Sequence, residues 1–137
     1  MSTVIRAAEM GDVRAVLVLW GQAGAEPSHT DDVESLERLI AHDEGALMVA
    51  ESDQQIVGTV IAGWDGWRGS IYRLAVAPSC RRAGLGGRLV RAAEHRLSTS
   101  GASRLQAIVV ETDAQATGFW RAGGWEQQAG RLRFVKG

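Results

Sequence analysis

With 137 residues, 45% of them hydrophobic and 23% charged, the chain has the make-up of one globular domain spanning residues 1–137. No apolar run nears membrane-spanning length, the opening Met-Ser-Thr-Val-Ile-Arg lacks the layout of a secretion signal, and a lone Cys80 excludes an internal disulfide, so a cytoplasmic protein with no membrane partner is expected. The net charge of −1 is unevenly spread. Residues 1–65 carry three arginines against twelve carboxylates, a net −9, and residues 66–137 carry twelve basic side chains against four carboxylates, a net +8. A basic half suits a polyphosphate and an acidic half a cationic amine, although solvated helix faces account for most such charges. The basic residues follow a glycine-rich turn with no aromatic stacking motif, which argues against nucleic acid.

In chain order, 3–7 predicts a strand. Val13, Val16, Leu17 and Trp20 recur at the spacing of one helix face, with Asp12 placed to cap it. A loop with Gly21, Gly24 and Pro27 follows over 21–29. Leu36, Leu39 and Ile40 mark a second helix with Thr30 or Asp31 at its N-cap. Strands are predicted over 46–51 and 56–64, joined by a turn at 52–55. Asp65-Gly66 signals a hairpin into a strand over 69–77, which Pro78 ends. Leu85, Leu89, Val90, Ala93 and Leu97 form the buried stripe of a helix ending near Gly101. A strand over 104–111, a short helix over 113–122 and a terminal hairpin of 125–128 and 131–135 complete the order β-α-α-β-β-β-α-β-α-β-β.

The stretch 74–90 carries the chemistry. It reads as a strand end, a basic glycine-rich turn and a helix start. A helix start exposes N–H groups without intrahelical partners and carries the positive end of the helix dipole. Gly84, Gly86 and Gly87 clear side chains from the approach of an anion, and Arg81, Arg82 and Arg88 add charge around it. This is a pyrophosphate cradle in outline. A Walker A loop is excluded, because Gly86-Gly87-Arg88 lacks its lysine and hydroxyl. A dinucleotide fingerprint begun at Gly84 would need glycine where Leu89 stands.

What remains, Arg81-x-x-Gly84-x-Gly86 after Val76-Ala-Pro78, closely resembles the acetyl-CoA pyrophosphate loop of the GNAT superfamily of N-acetyltransferases. A second segment of that family, Asn-x-x-Ala-x-x-Phe-Tyr followed by Gly-Phe, is similar to Asp113-x-x-Ala116-x-x-Phe119-Trp120 followed by Gly124-Trp125. Asp113 stands where the family has Asn, and Trp120 where it has Tyr. The resemblance implies an α/β fold: a mixed, mostly antiparallel sheet of six to seven strands, splayed at its centre and flanked by about four helices. It also implies acetyl-CoA as cosubstrate, no metal, and direct attack of a primary amine of a small molecule or peptide on the thioester.

Carried over residue by residue, the resemblance assigns the cofactor to Leu74, Ala75, Val76, Arg81, Arg82, Ala83, Gly84, Leu85, Gly86, Gly87 and Phe119. The strands ending at Ala77 and Glu111 would part to admit the pantetheine arm. The Val76 N–H would polarise the acetyl carbonyl. Tyr72 and Ser70 occupy the positions from which family members handle the amine's proton, directly or through water. Glu51, Asp65 and Glu111 are carboxylate alternatives, and a surface or half-buried strand position is the plainer account of each. An indole does not release its proton, so Trp120 reads as a wall of the thioester pocket or as core packing, with water protonating the thiolate. Trp20 and the loop 21–30, with Glu26 and His29, would border the amine site. Trp64, Trp67 and Arg68 at a hairpin tip would line the acceptor cleft, form a homodimer contact or pack locally. His29, His42 and His95 lack metal-ligand spacing, and direct transfer leaves Cys80 no covalent role. The main alternative to an enzyme is a CoA-binding module that has lost catalysis and acts as a sensor. Transfer of a larger acyl group is a third reading.

Overall fold

The computed structural model describes residues 2–109 and 113–137, which group into two compact units, Met1–Ala107 and Ile108–Gly137. The first contains β1 (Val4–Ala7), α1 (Val13–Gln22), α2 (Val33–His42), β2 (Leu47–Ser52), β3 (Gln55–Trp64), β4 (Gly69–Val76), α3 (Leu85–Ser100) and β5 (Leu105–Ala107), with short 3-10 turns at Met10–Asp12 and Pro78–Cys80. The sheet runs in sequence order from β1 to β5. Its first three pairings are antiparallel, and β5 joins β4 in parallel after the α3 crossover.

The strand pattern sets two apolar faces. On one, Val13, Val16 and Trp20 of α1 and Leu36 and Ile40 of α2 pack against Leu47, Val49, Ile61 and Ala75. On the other lies α3, whose stripe of Leu85, Leu89, Val90, Ala93 and Leu97 is buried throughout. Two glycines let α3 approach the strands. A Cβ at Gly58 would stand 2.8 Å from Leu89 Cδ1, and one at Gly69 would stand 2.8 Å from Leu97 Cδ1.

Two irregularities shape β4. Ile61 pairs with Tyr72 and Thr59 with Ala75, so Val60 faces both Arg73 and Leu74 in a β-bulge. Its pairing with β5 covers only Gly69–Ile71 and stops at Ala107. From Tyr72 to Val76 that edge of β4 has no strand partner among the described residues.

The second unit holds α4 (Ala114–Ala122), capped by the Asp113 carboxylate accepting from Ala116 N–H at 2.9 Å. Trp120 meets Phe119 and Trp125 edge-on, at centroid distances of 5.7 and 4.8 Å.

Several expectations need correction. The described residues form five strands, not six to seven. Among them the terminal hairpin is absent: 125–137 carry no strand. The alternation Arg131-Leu132-Arg133-Phe134 fits a strand, but an isolated two-stranded hairpin is marginal without a further strand or helix to cover it. The strand expected over 104–111 is confined to Leu105–Ala107, and its end at Glu111 lies outside the described residues. The N-cap of α2 is Asp32, not Thr30 or Asp31, because the Asp31 carboxylate is engaged by Arg73 and by the Ser28 N–H. Asp12 does precede α1, but its carboxylate turns back to Arg6 and the Glu9 N–H.

Candidate active site

The segment after β4 builds a turn. Pro78–Cys80 closes a 3-10 turn, with Cys80 N–H donating to the Ala77 carbonyl at 2.8 Å. Arg82 and Gly84 then take left-handed backbone angles, φ 68° and 79°, and Gly84 is the N-cap of α3. Glycine adopts this conformation without steric cost, and a Cβ there would meet nothing within 4 Å. Among the described residues no side chain caps the helix, and its first backbone bond is Arg88 N–H to the Gly84 carbonyl at 3.2 Å. The N–H groups of Leu85, Gly86 and Gly87 therefore lie ahead of the helical hydrogen-bond ladder. The Leu85 side chain is buried and anchors this end, whereas Arg82 and Ala83 are exposed. Arg81 and Arg88 each give one guanidinium nitrogen to a main-chain carbonyl, Ala23 at 2.8 Å and Thr3 at 3.0 Å.

Strand geometry orients the β4 edge. Ala77 N–H donates to the Val57 carbonyl on the β3 side at 2.8 Å. Successive N–H groups alternate along an extended chain, so the Val76 N–H points to the opposite edge, the one β5 does not reach. Leu74 and Val76 are half-buried, while the Ala75 side chain belongs to the core beneath α1 and α2.

Ser70 and Tyr72, two residues apart, share the α1–α2 face of the sheet. Ser70 Oγ accepts from Gln106 Nε2 at 3.1 Å. Tyr72 is 49% exposed, and its ring covers Gly63, where a Cβ would stand 3.3 Å away.

The carboxylate alternatives lie elsewhere. Glu51 pairs with Arg6 at 2.8 Å. Asp65 sits at the β3–β4 turn and accepts from the Arg68 and Trp67 N–H groups, both at 2.7 Å, which hold its carboxyl below the usual carboxylate range. Glu111 is outside the described residues. At the same turn the Arg68 guanidinium stacks on the Trp67 ring at 4.1 Å, and Trp64 packs toward Gly101. That tip is separated from Val76 by the length of β4, about 20 Å, which favours local packing over a lining of the acceptor cleft. A cleft of about 630 Å³ opens beside α1, lined by Arg6, Asp12, Val18, Gln22, Glu51 and Gln55. Its three charged groups are already paired with one another.

Sequence reasoning missed one relay. Thr59 is fully buried; its Oγ1 accepts from Trp20 Nε1 at 2.8 Å and donates to the Arg73 carbonyl at 2.9 Å. A threonine inside the apolar run of β3 is the one signal that pointed to it.

The chain matches the acetyltransferase (GNAT) family over residues 14–124. Among solved structures it is similar to Ard1 from Thermoplasma volcanium, with a TM-score of 0.84 and 18% identity over 94% of this chain and 86% of that one. It is also similar to the PaiA N-acetyltransferase from Thermoplasma acidophilum in complex with coenzyme A, with a TM-score of 0.81 and 16% identity over 93% and 92%. An aminoglycoside antibiotic 6'-N-acetyltransferase from Acinetobacter haemolyticus gives a TM-score of 0.78 and 19% identity over 98% of each chain. At these identities the structures establish the shared fold, and the family match goes further. The chain belongs to the acetyltransferase (GNAT) family.

Proposed function

We propose that the protein moves an acetyl group from acetyl-CoA to a primary amine of a small molecule or peptide, by direct attack on the thioester. One observation carries this reading: the uncapped start of α3, entered through Arg82 and Gly84 in left-handed conformation, directly after a strand whose outer edge is unpaired among the described residues. Uncapped N–H groups at the positive end of a 16-residue helix favour a diphosphate. The open space at Gly84 lets main chain approach phosphate oxygens, and Arg82 adds an exposed charge.

Acetyl-CoA, when bound, supplies the activated acyl group. The chain's own work is to hold and polarise it. The edge at Leu74 and Val76, unpaired among the described residues, offers main-chain groups to the pantetheine amides. The outward Val76 N–H donates toward the acetyl oxygen, a one-donor oxyanion site. Amines are mostly protonated near neutral pH, so a proton must leave before attack. Ser70, oriented by Gln106, and the neighbouring Tyr72 hold a water that relays it to bulk solvent and its buffer base.

A non-catalytic CoA-binding module is the second reading, favoured by the commitment of Glu51 and Asp65 to other partners. A thiol-release assay separates the two. Acetyl-CoA is incubated with lysine amide, ethanolamine, glucosamine, kanamycin and a short peptide with a free N-terminus. Release of CoA above hydrolysis with at least one amine is expected. Tight binding with no release for any amine selects the module. In calorimetry, Gly84→Asp raises the acetyl-CoA Kd by at least about tenfold, while Gly84→Asn, equally demanding of the backbone but uncharged, costs less. A Gly84→Asp protein whose Kd stays within about threefold of wild type removes the phosphate assignment.

A further inference from the structure

The connection between α1 and α2 is tied to β4 at one residue. Arg73 sits in the bulge with φ 50°, a conformation that costs any side chain more than glycine. Its Nη1 donates to the Glu26 carbonyl at 3.0 Å and its Nη2 to the Asp31 carboxylate at 2.7 Å. The guanidinium also lies 5.2 Å from the Trp20 ring, in the last turns of α1. The Arg73 carbonyl accepts from Thr59, which accepts from Trp20. Side chain and main chain of one strained residue thus hold three points of α1 and the segment after it.

The tie is shielded and specific. The Arg73 and Asp31 side chains are 22% and 19% exposed, so salt screens them less than a surface pair. The planar guanidinium reaches two acceptors five positions apart in sequence, a geometry that a lysine ammonium does not reproduce. The register puts Ser70 and Tyr72 on the face of the sheet that α1 and α2 cover. The segment held by Arg73 therefore belongs to the same side as those two residues.

We propose that Arg73 is a positioning residue for the acceptor amine: it clamps residues 23–32 onto the bulge of β4 and thereby sets the acceptor side of the site. This rests on the acetyl-transfer reading above. The Arg73 side chain bonds Glu26 and Asp31 and lies against Trp20, whereas the turn at 81–84 meets the clamped segment only at its first residue, Ala23, through Arg81, so loss of Arg73 is expected to impair the amine more than cosubstrate binding.

The test compares wild type, Arg73→Ala, Arg73→Lys and Asp31→Asn as full chains. Hydrogen–deuterium exchange followed by mass spectrometry reads 21–32 and 78–90 separately. Calorimetry gives the acetyl-CoA Kd, and steady-state kinetics gives KM and kcat for whichever of the five amines above turns over fastest. Arg73→Ala is expected to speed exchange over 21–32 by about tenfold, leave 78–90 and the acetyl-CoA Kd within about threefold, and raise the amine KM by about tenfold with a smaller change in kcat. Arg73→Lys recovers only part of this. Asp31→Asn removes the tie from the loop end without touching the bulge and reproduces the direction, which keeps the test decisive if Arg73→Ala fails to fold. Unchanged exchange over 21–32, or an acetyl-CoA Kd that moves as far as the amine KM, overturns the proposal. A wild type that acetylates none of the amines removes the transfer reading and the acceptor role with it, while the exchange comparison still decides the clamp.

Discussion

Thr59 shows how one hydroxyl can hold two elements together. Among the described residues it is the one buried polar side chain of the core, and both its hydrogen bonds go to groups distant in sequence. Thr59→Val keeps the shape but leaves an indole N–H and a carbonyl without a partner. Each buried unsatisfied group costs about 1–3 kcal/mol. A loss of about 2–3 kcal/mol in urea unfolding is expected, with Thr59→Ser retaining most of the stability; equal losses for the two variants would refute the relay. The threonine in the apolar run of β3 marked a buried hydroxyl but not its partners, which stand 39 and 14 positions away. The left-handed Arg73 was equally hidden, because local sequence marks such a site when glycine or asparagine fills it. Asp31 and Asp32 make the same point. Local rules allowed a cap at 30 or 31; the cap stands at Asp32, while the Asp31 carboxylate is taken by Arg73.

At the scale of elements, periodicity was a good guide wherever the burial was one-sided and long. The five apolar positions read for α3 are all buried, and its helix stops at Gly101 as the glycine suggested. The turn at 81–84 and the helix start after it were legible as backbone features because glycine marks the left-handed position directly. That β4 lacks a strand partner beyond Ile71 among the described residues had no signature of its own in the sequence. The terminal hairpin misled because alternation states which face a strand would bury, not that a partner edge exists. Gly58 links these elements. A larger residue there drives into Leu89 of α3 and crowds Ala50 and the Ala75 carbonyl. Gly58→Val is expected to cost about 1–3 kcal/mol, in the range of overpacked cores. Because α3 begins at the turn proposed to hold the diphosphate, the same variant should weaken acetyl-CoA in calorimetry. A destabilised Gly58→Val protein with unchanged Kd would uncouple the two.

For the whole molecule, the relevant quantity is charge. The acidic half does not stand alone: Arg6 bridges Asp12 and Glu51 across β1, the first turn and β2. The hydrogen bond from Arg6, then that from the Glu9 N–H, holds the Asp12 carboxyl below its ordinary value of 3.8 despite partial burial. A depressed folded-state pKa stabilises above the unfolded value and is lost as pH falls through the folded one. Wild type should therefore lose stability faster than Asp12→Asn below about pH 4, so that the gap between their urea midpoints closes on acidification. A gap that stays constant from about pH 7 to about pH 3 would show that this cluster does not contribute. Among the described residues no helix is long and apolar enough to cross a membrane.

The reversal between β2 and β3 is made by Asp53 and Gln54, at φ 51° and 62°, without a glycine. Residues held in that region each store on the order of 1 kcal/mol or more. The hairpin closes because the sheet on either side enforces it, not because the turn prefers it. Such a joint is a spring under load: it is expected to tighten only after its flanking ladders have formed, which would make this hairpin a late one to lock.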